Sequence, residues 1–310
     1  MRPIERSSLS RRRLCKCAGL LFAGSQARGF GETVGPKSAA NKVLVATLAG
    51  VAPYQQALEA MRARLAGKEL EVVELEPTGK RLAQALDSGA AVAVAIGIEA
   101  RGALGRAETK IPVVSTMVLL SAADDQNSGG GAPAQQAGNV FLDLEMTRIA
   151  EELAVHFPKW KRLGVLADGD KRNAPSEGVL GQLQARGYNV QVTVCDRKAE
   201  LAAKATAFRG KTDLVVLLPS STLYDAKSVP PLLQAALENR LALVGYSPGI
   251  LQAGTAFGVF PDYAELGVQA SEMVVSQLAG KPGGEELARK VTFATNPRVL
   301  RLLGLNAPKT

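Results

Sequence analysis

The chain has little of what catalysis needs. One histidine in 310 residues leaves a Ser-His-Asp triad without support, since no Gly-x-Ser-x-Gly elbow accompanies it. His156 sits beside Phe157 in an amphipathic stretch and reads as a partly exposed helix residue. Of the three cysteines, Cys15 and Cys17 fall in the N-terminal segment. Cys195 stands alone in the body, which excludes a Cys/His zinc cluster and any internal disulfide there. It ends the alternating run Asn189 to Val194 as a small strand-end residue rather than a reactive thiol. Gly97-Ile98-Glu99-Ala100-Arg101-Gly102 has the end glycines of a phosphate loop, but Ala103 and Leu104 stand where Lys and Ser/Thr are required. Asp168-Gly169-Asp170 lacks the further ligands of a Ca²⁺ loop and reads as a solvated turn. These absences predict no enzyme, no cofactor and no metal.

Aromatic residues are also scarce, at 5%, so cores must be built from Val, Leu and Ala. The net charge of +8 is uneven: about six of those charges precede residue 29. The remainder is nearly balanced and carries no aromatic-flanked basic stripe, so a nucleic-acid partner is not expected.

The early charge belongs to an address. Ser10-Arg11-Arg12-Arg13-Leu14-Cys15-Lys16 precedes the short apolar stretch Cys17 to Ala23 and the small residues Ser25-Gln26-Ala27. A basic region, an apolar region and small residues are the layout of a cleaved signal peptide. The apolar stretch is far short of the ~20 residues that span a bilayer, so no stable membrane anchor is expected. The segment resembles a twin-arginine export signal, with Leu14 and Cys15 in place of Phe-Leu; the general secretory route is the alternative.

Beyond this the chain alternates strand and helix. Val43 to Ala46, Leu70 to Val73, Ala91 to Ile96 and Val113 to Ser115 are short apolar runs separated by helical patterns. A Ser/Gly/Gln/Ala-rich stretch, 121–138, reads as a loop. The rhythm then repeats through Leu163 to Leu166, Val190 to Val194, Leu214 to Leu218 and Leu241 to Val244. Asp262 and Glu265 form a capping box for a helix to Leu278, and Asn296-Pro297 opens a last helix that Gly304 closes. Near-continuous Val/Leu strands predict an α/β fold: two Rossmann-like lobes with parallel sheets joined by a hinge. The expected divisions are 1–35 for signal and linker, 36–138 and 139–260 for the two lobes, and 261–310 for a crossover helix and C-terminal segment.

Several stretches give the chain a family likeness. They are Lys159 to Leu166 (KWKRLGVL), Lys211 to Val216 (KTDLVV), Gly258 to Tyr263 (GVFPDY), Leu278 to Pro282 (LAGKP) and the closing segment Asn296 to Leu305. From about Gly138 onward the chain resembles the ABC-transporter substrate-binding proteins of type I periplasmic-binding fold, in the branch with uncharacterised members and aromatic-amino-acid binders. The first lobe matches in outline only, with Tyr54 to Arg64 and Gly67-Lys68-Glu69 where the family carries Phe-x-x-Gly-Leu and Gly-Tyr-x-x-Gly. The resemblance implies a periplasmic monomer that clamps a small ligand and hands it to an ABC permease with its ATPase. A degenerate accessory or sensor of the same fold is the rival reading.

In open parallel sheets, ligands lie beyond the carboxyl ends of the strands. That places candidates at Gly50, at Gly97, Ile98 and Glu99, and at Ser115 and Thr116 in the first lobe. In the second they are Asp168, Asn173 and Ser176, then Ser220, Ser221 and Thr222, then Tyr246 and Ser247. Hydroxyls beside helix starts suit a ligand carboxylate, and Glu99 or Asp168 suits an ammonium group, so an amino-acid-like ligand is expected. The competing assignment is that many of these residues are N-caps.

The export segment carries its own test. Mass spectrometry of the mature protein should find a start between Ala23 and Gly35, and replacing Arg11 and Arg12 with Lys should block export by the twin-arginine route. An intact Met1 confined to the cytosol contradicts export altogether.

Overall fold

The computed structural model describes residues 42–133, 135–169, 174–281 and 283–307. The export segment and the site candidate Asn173 lie outside these. The first lobe runs β1 (Lys42–Thr47), α1 (Ala52–Ala66), β2 (Glu71–Leu75), α2 (Lys80–Leu86), β3 (Val92–Ile96), α3 (Ile98–Arg106), β4 (Val113–Val118), α4 (Leu120–Ser128) and β5 (Gln136–Phe141). The second runs α5 (Met146–His156), β6 (Arg162–Asp168), α6 (Glu177–Ala185), β7 (Asn189–Cys195), α7 (Leu201–Thr206), β8 (Leu214–Leu217), α8 (Val229–Glu238), β9 (Leu243–Gly245), α9 (Pro248–Ala253) and β10 (Phe257–Pro261). The tail adds α10 (Tyr263–Leu278), β11 (Glu285–Glu286), β12 (Val291–Thr295) and α11 (Pro297–Leu303).

Two sheets result, in the orders β11-β5-β4-β3-β1-β2 and β12-β10-β9-β8-β6-β7. All pairings are parallel except β10 with β12. Every residue of β3, Val-Ala-Val-Ala-Ile, is buried, as a strand covered by helices on both faces requires. Each buried Val or Ile there contributes ~1.5–3 kcal/mol relative to exposure, which fixes the strand at the centre of its lobe.

The segment 121–138 is not a loop. It holds α4 and the start of β5. Neither is plain in the sequence, because Asp124, Asp125, Asn127 and Ser128 are weak helix formers and Gln136-Ala137-Gly138-Asn139 interrupts any apolar run. Tertiary bonds supply what propensity lacks: Gln136 Nε2 donates to the carbonyls of Val113 at 2.9 Å and Gly138 at 2.7 Å, across the register shift between β4 and β5. The lobe switch expected near Asn139 therefore falls inside β5, and the chain leaves the first sheet only after Phe141. The tail is divided as well. Helix α10 packs on α1 and β11 extends the first sheet, whereas β12 and α11 join the second lobe.

The chain thus crosses between lobes three times: after Phe141, after Pro261 and between Glu286 and Val291. Of the caps read from sequence, one stands at the second crossing and the other opens the helix that follows β12. Asp262 accepts from the Glu265 amide at 3.1 Å to open α10, and Asn296 accepts from Val299 at 3.3 Å to open α11. Where α1 and α10 touch, Gly267 lies so close to the Ala57 carbonyl that no Cβ fits.

Candidate functional site

The carboxyl ends of both sheets face one cleft. In the second lobe β6 ends at Asp168, whose Oδ2 accepts hydrogen bonds from the hydroxyls of Ser220, in a very short contact, and of Thr222 at 2.9 Å. The Ser220 oxygen also accepts from the amides of Thr222 at 3.0 Å and Leu223 at 2.9 Å. One donor and two acceptor positions exhaust a hydroxyl, so Ser220, only 5% exposed, is an anchor of the turn after β8. Ser221 and Thr222 stand on that turn with their side chains exposed.

Two tyrosines form a wall beside it. The rings of Tyr224 and Tyr246 lie 5.3 Å apart at 47°. Burial pushes the Tyr246 phenol up to about 12. Burial first, then Tyr246, pushes Tyr224 well above the usual value, and its enclosed hydroxyl has no partner among the described residues. Behind them Cys195 is fully buried, and burial raises its thiol to about 11. Ser176 and Ser247 turn out to be helix caps, accepting from Val179 and Ile250, each at 3.3 Å.

In the first lobe Gly50 (φ +77°) lies exposed in the turn before α1. Gly97 (φ +94°) precedes α3, and a Cβ there would meet the Tyr54 hydroxyl at 2.5 Å. Only glycine combines that φ with a tyrosine ring against the backbone. Burial, and then the Glu99 charge, raises the Tyr54 phenol; Glu99 itself is exposed in the first turn of α3. Ile98 is half-buried and its carbonyl accepts from Gln126 Nε2 at 3.0 Å.

Ser115 and Thr116 are not at the strand end. Both are within β4, 1% and 0% exposed, and among the described residues the Ser115 hydroxyl reaches Gln136 alone, at 3.4–3.5 Å. β4 continues through a bulge at Met117, a non-glycine residue at φ +60°. Such bulges re-aim a strand end, and they gather at functional sites. The residue delivered to the cleft is Ser121, at the start of α4. It accepts from the Ser221 amide at 3.2 Å, and Asp125 Oδ2 accepts from the Ser221 hydroxyl at 3.0 Å. The expected pairing of first-lobe hydroxyls with Ser220 to Thr222 is thus made by residues five or more positions later. Sequence reasoning missed Ser121 and Asp125 because it took their helix for a loop. It missed Tyr54 and Tyr224 because neither sits on a strand end.

A cavity of about 200 Å³ continues the cleft toward the crossings, lined by Leu120, Asp143, Leu144, Ser176, Leu218 and Leu287 among others. A larger one of about 370 Å³ lies at the opposite end of the second sheet, between α8, α9 and α11, remote from every strand end named above. The cleft can therefore offer carboxylates, hydroxyls and tyrosine faces to a small molecule enclosed between lobes.

A family model described as ABC transporter substrate binding protein matches residues 77–308. A curated tyrosine-binding protein of Clostridioides difficile (strain R20291) is 23% identical over 177 residues, 54% of this chain and 50% of that protein. The chain thus spans half the length of that relative. A ligand-free, open substrate-binding protein with adhesive properties from Clostridium difficile is 18% identical, with a TM-score of 0.59 over 87% of this chain and 96% of that one. An ABC domain in complex with L-Trp from Streptococcus pneumonia is 16% identical, with a TM-score of 0.50 over 86% and 96%. At these identities the structural likeness is one of fold.

Asp168 gives the site a direct stability test. Replacing it with Ala strips a charged acceptor from two hydroxyls, and a hydrogen bond to a charged group contributes about 1.5–3 kcal/mol. Urea unfolding of Asp168→Ala should show a loss of about that size. A change within the ~0.5 kcal/mol typical of surface substitutions contradicts the anchoring role.

Proposed function

We propose, from the chain's membership of the ABC transporter substrate-binding protein family, that it captures a small amino-acid-like ligand between its lobes. It then delivers that ligand to an ABC permease driven by its ATPase. The observation that carries the reading is the cleft itself. Two parallel sheets present their carboxyl ends to each other, joined on one side by three crossings. Rigid lobes on such a joint close as jaws. Proteins of this family bind and release their ligands without transforming them.

Chemistry at the rim supports the ligand class. Asp168, Asp125 and Glu99 can meet an ammonium group, and the amides at the start of α3 suit a carboxylate. Tyr54, Tyr224 and Tyr246 offer flat faces for an apolar or aromatic side chain. The curated relative is described as binding tyrosine and the streptococcal domain is seen with L-Trp, which agrees with an amino-acid ligand here. Within this reading the N-terminal segment directs export to the periplasm and is cleaved, and the mature protein acts as a monomer. Among the described residues no helix is long and apolar enough to cross a membrane.

A thermal-shift screen of amino acids and small organic anions tests the proposal. The true ligand at a hundredfold excess over its Kd should stabilise the protein by ~2.7 kcal/mol, with no product formed. Stabilisation by none of them favours an accessory or sensor. Turnover of any of them makes the protein an enzyme.

A further inference from the structure

Helix α8 carries more apolar surface than its core uses. Leu232 and Ala236, four residues apart, are buried against the second sheet. Leu233 and Leu237 form a second stripe beside them, and Leu237 is 40% exposed. Helix α11 repeats the pattern: Leu300 is buried, whereas Leu302 is 60% exposed. Both surplus stripes line the cavity of about 370 Å³, which the end of α9 bounds at Gln252 and Ala253. Leu241, Leu243 and Ala256, all buried, line it as well. Ala236, Ala253 and Ala256 leave space there that larger side chains would fill. Leucines scattered singly over a surface need no explanation; two converging on one apolar concavity do.

The polar groups of this groove are few, and most are committed. Asn296 Nδ2 donates to the Leu251 carbonyl at 2.9 Å, and its Oδ1 accepts from Val299 at 3.3 Å. Gln234 donates to Glu238 at 2.8 Å. Gln252 and Arg298 line the groove and are exposed. Among the described residues Arg298 enters no ion pair. It precedes Leu302 by four residues, so both lie on one side of α11. We propose that the groove is a second binding site, for a monocarboxylate with a hydrocarbon body the size of octanoate. The hydrocarbon covers Leu237 and Leu302, and the Arg298 fork takes the carboxylate through two parallel hydrogen bonds. One cation in an apolar lining suits one carboxylate, not a polyphosphate. The volume falls among those of small-molecule sites, about 300–1,000 Å³. The groove lies on the second lobe alone, away from the cleft, so this inference and the amino-acid reading fail independently.

Calorimetry of the full chain with octanoate, octan-1-ol and acetate tests the site. Octanoate should bind saturably, and at least tenfold more tightly than the uncharged alcohol or the short acid. Arg298→Gln should weaken octanoate by tenfold or more, the scale of a lost charged hydrogen bond, while leaving octan-1-ol unchanged. Ala253→Trp fills the groove and should abolish binding of both. Arg298 and Ala253 are exposed; an unchanged Tm shows that each variant folds, and Leu302→Gln replaces Ala253→Trp if that one does not. No saturable octanoate binding overturns the proposal. So does octan-1-ol binding as tightly as octanoate, or octanoate binding that survives both variants and therefore occurs elsewhere.

Discussion

Ala288 donates its amide to the carbonyl of Asp143, and Asp262 donates to the carbonyl of Lys290. These two bonds lay the three crossing segments side by side, and the rest of the architecture follows from them. Lobes joined by one strand could swivel; lobes joined by three bonded strands bend about a common axis. Gln269, wholly buried on α10, reinforces the arrangement. Its amide nitrogen donates to Glu286 and to the Leu287 carbonyl, and its oxygen accepts from the Arg289 amide, each at 3.1 Å. The ion pairs outside it, Arg289 with Glu272 and Glu286 and Lys290 with Asp262, are exposed and contribute little individually. The joint is therefore set by backbone and amide bonds rather than by charge.

Much of this was legible in sequence where pattern and packing agree. The strands β3, β6 and β8 are apolar runs buried on both faces, and the caps at Asp262 and Asn296 announce their helices. The second sheet's edge strand β12 and the short β11 escaped because neither is an apolar run: β12 is Val-Thr-Phe-Ala-Thr and β11 only Glu285-Glu286. Val291 to Thr295 is half-exposed along most of its length. Helix α4 and strand β5 escaped for a different reason. Both depend on side chains distant in sequence, Arg101 and Asp143 for the helix and Gln136 for the bulged strand. No local propensity records such bonds.

The site shows the same division. Asp168 and Ser221 were identifiable as strand-end residues, and they do lie at the cleft. Ser220, Ser176 and Ser247 carry the same residue type at similar positions, yet they serve the backbone as anchor and caps. A hydroxyl at a strand end has two uses, and only the position of nearby amides separates them. Thr116 illustrates the limit from the other side: the run Val113 to Ser115 puts it at a strand end, but β4 continues through the bulge at Met117 to Val118.

A ligand enclosed between the lobes must touch both of them. A crystal structure of the complex with whichever ligand the protein retains measures this directly. Density should contact both lobes, with Asp168 or Thr222 on one side and Tyr54 or the start of α3 on the other. Density held by one lobe alone, or lodged only in the groove between α8, α9 and α11, contradicts enclosure.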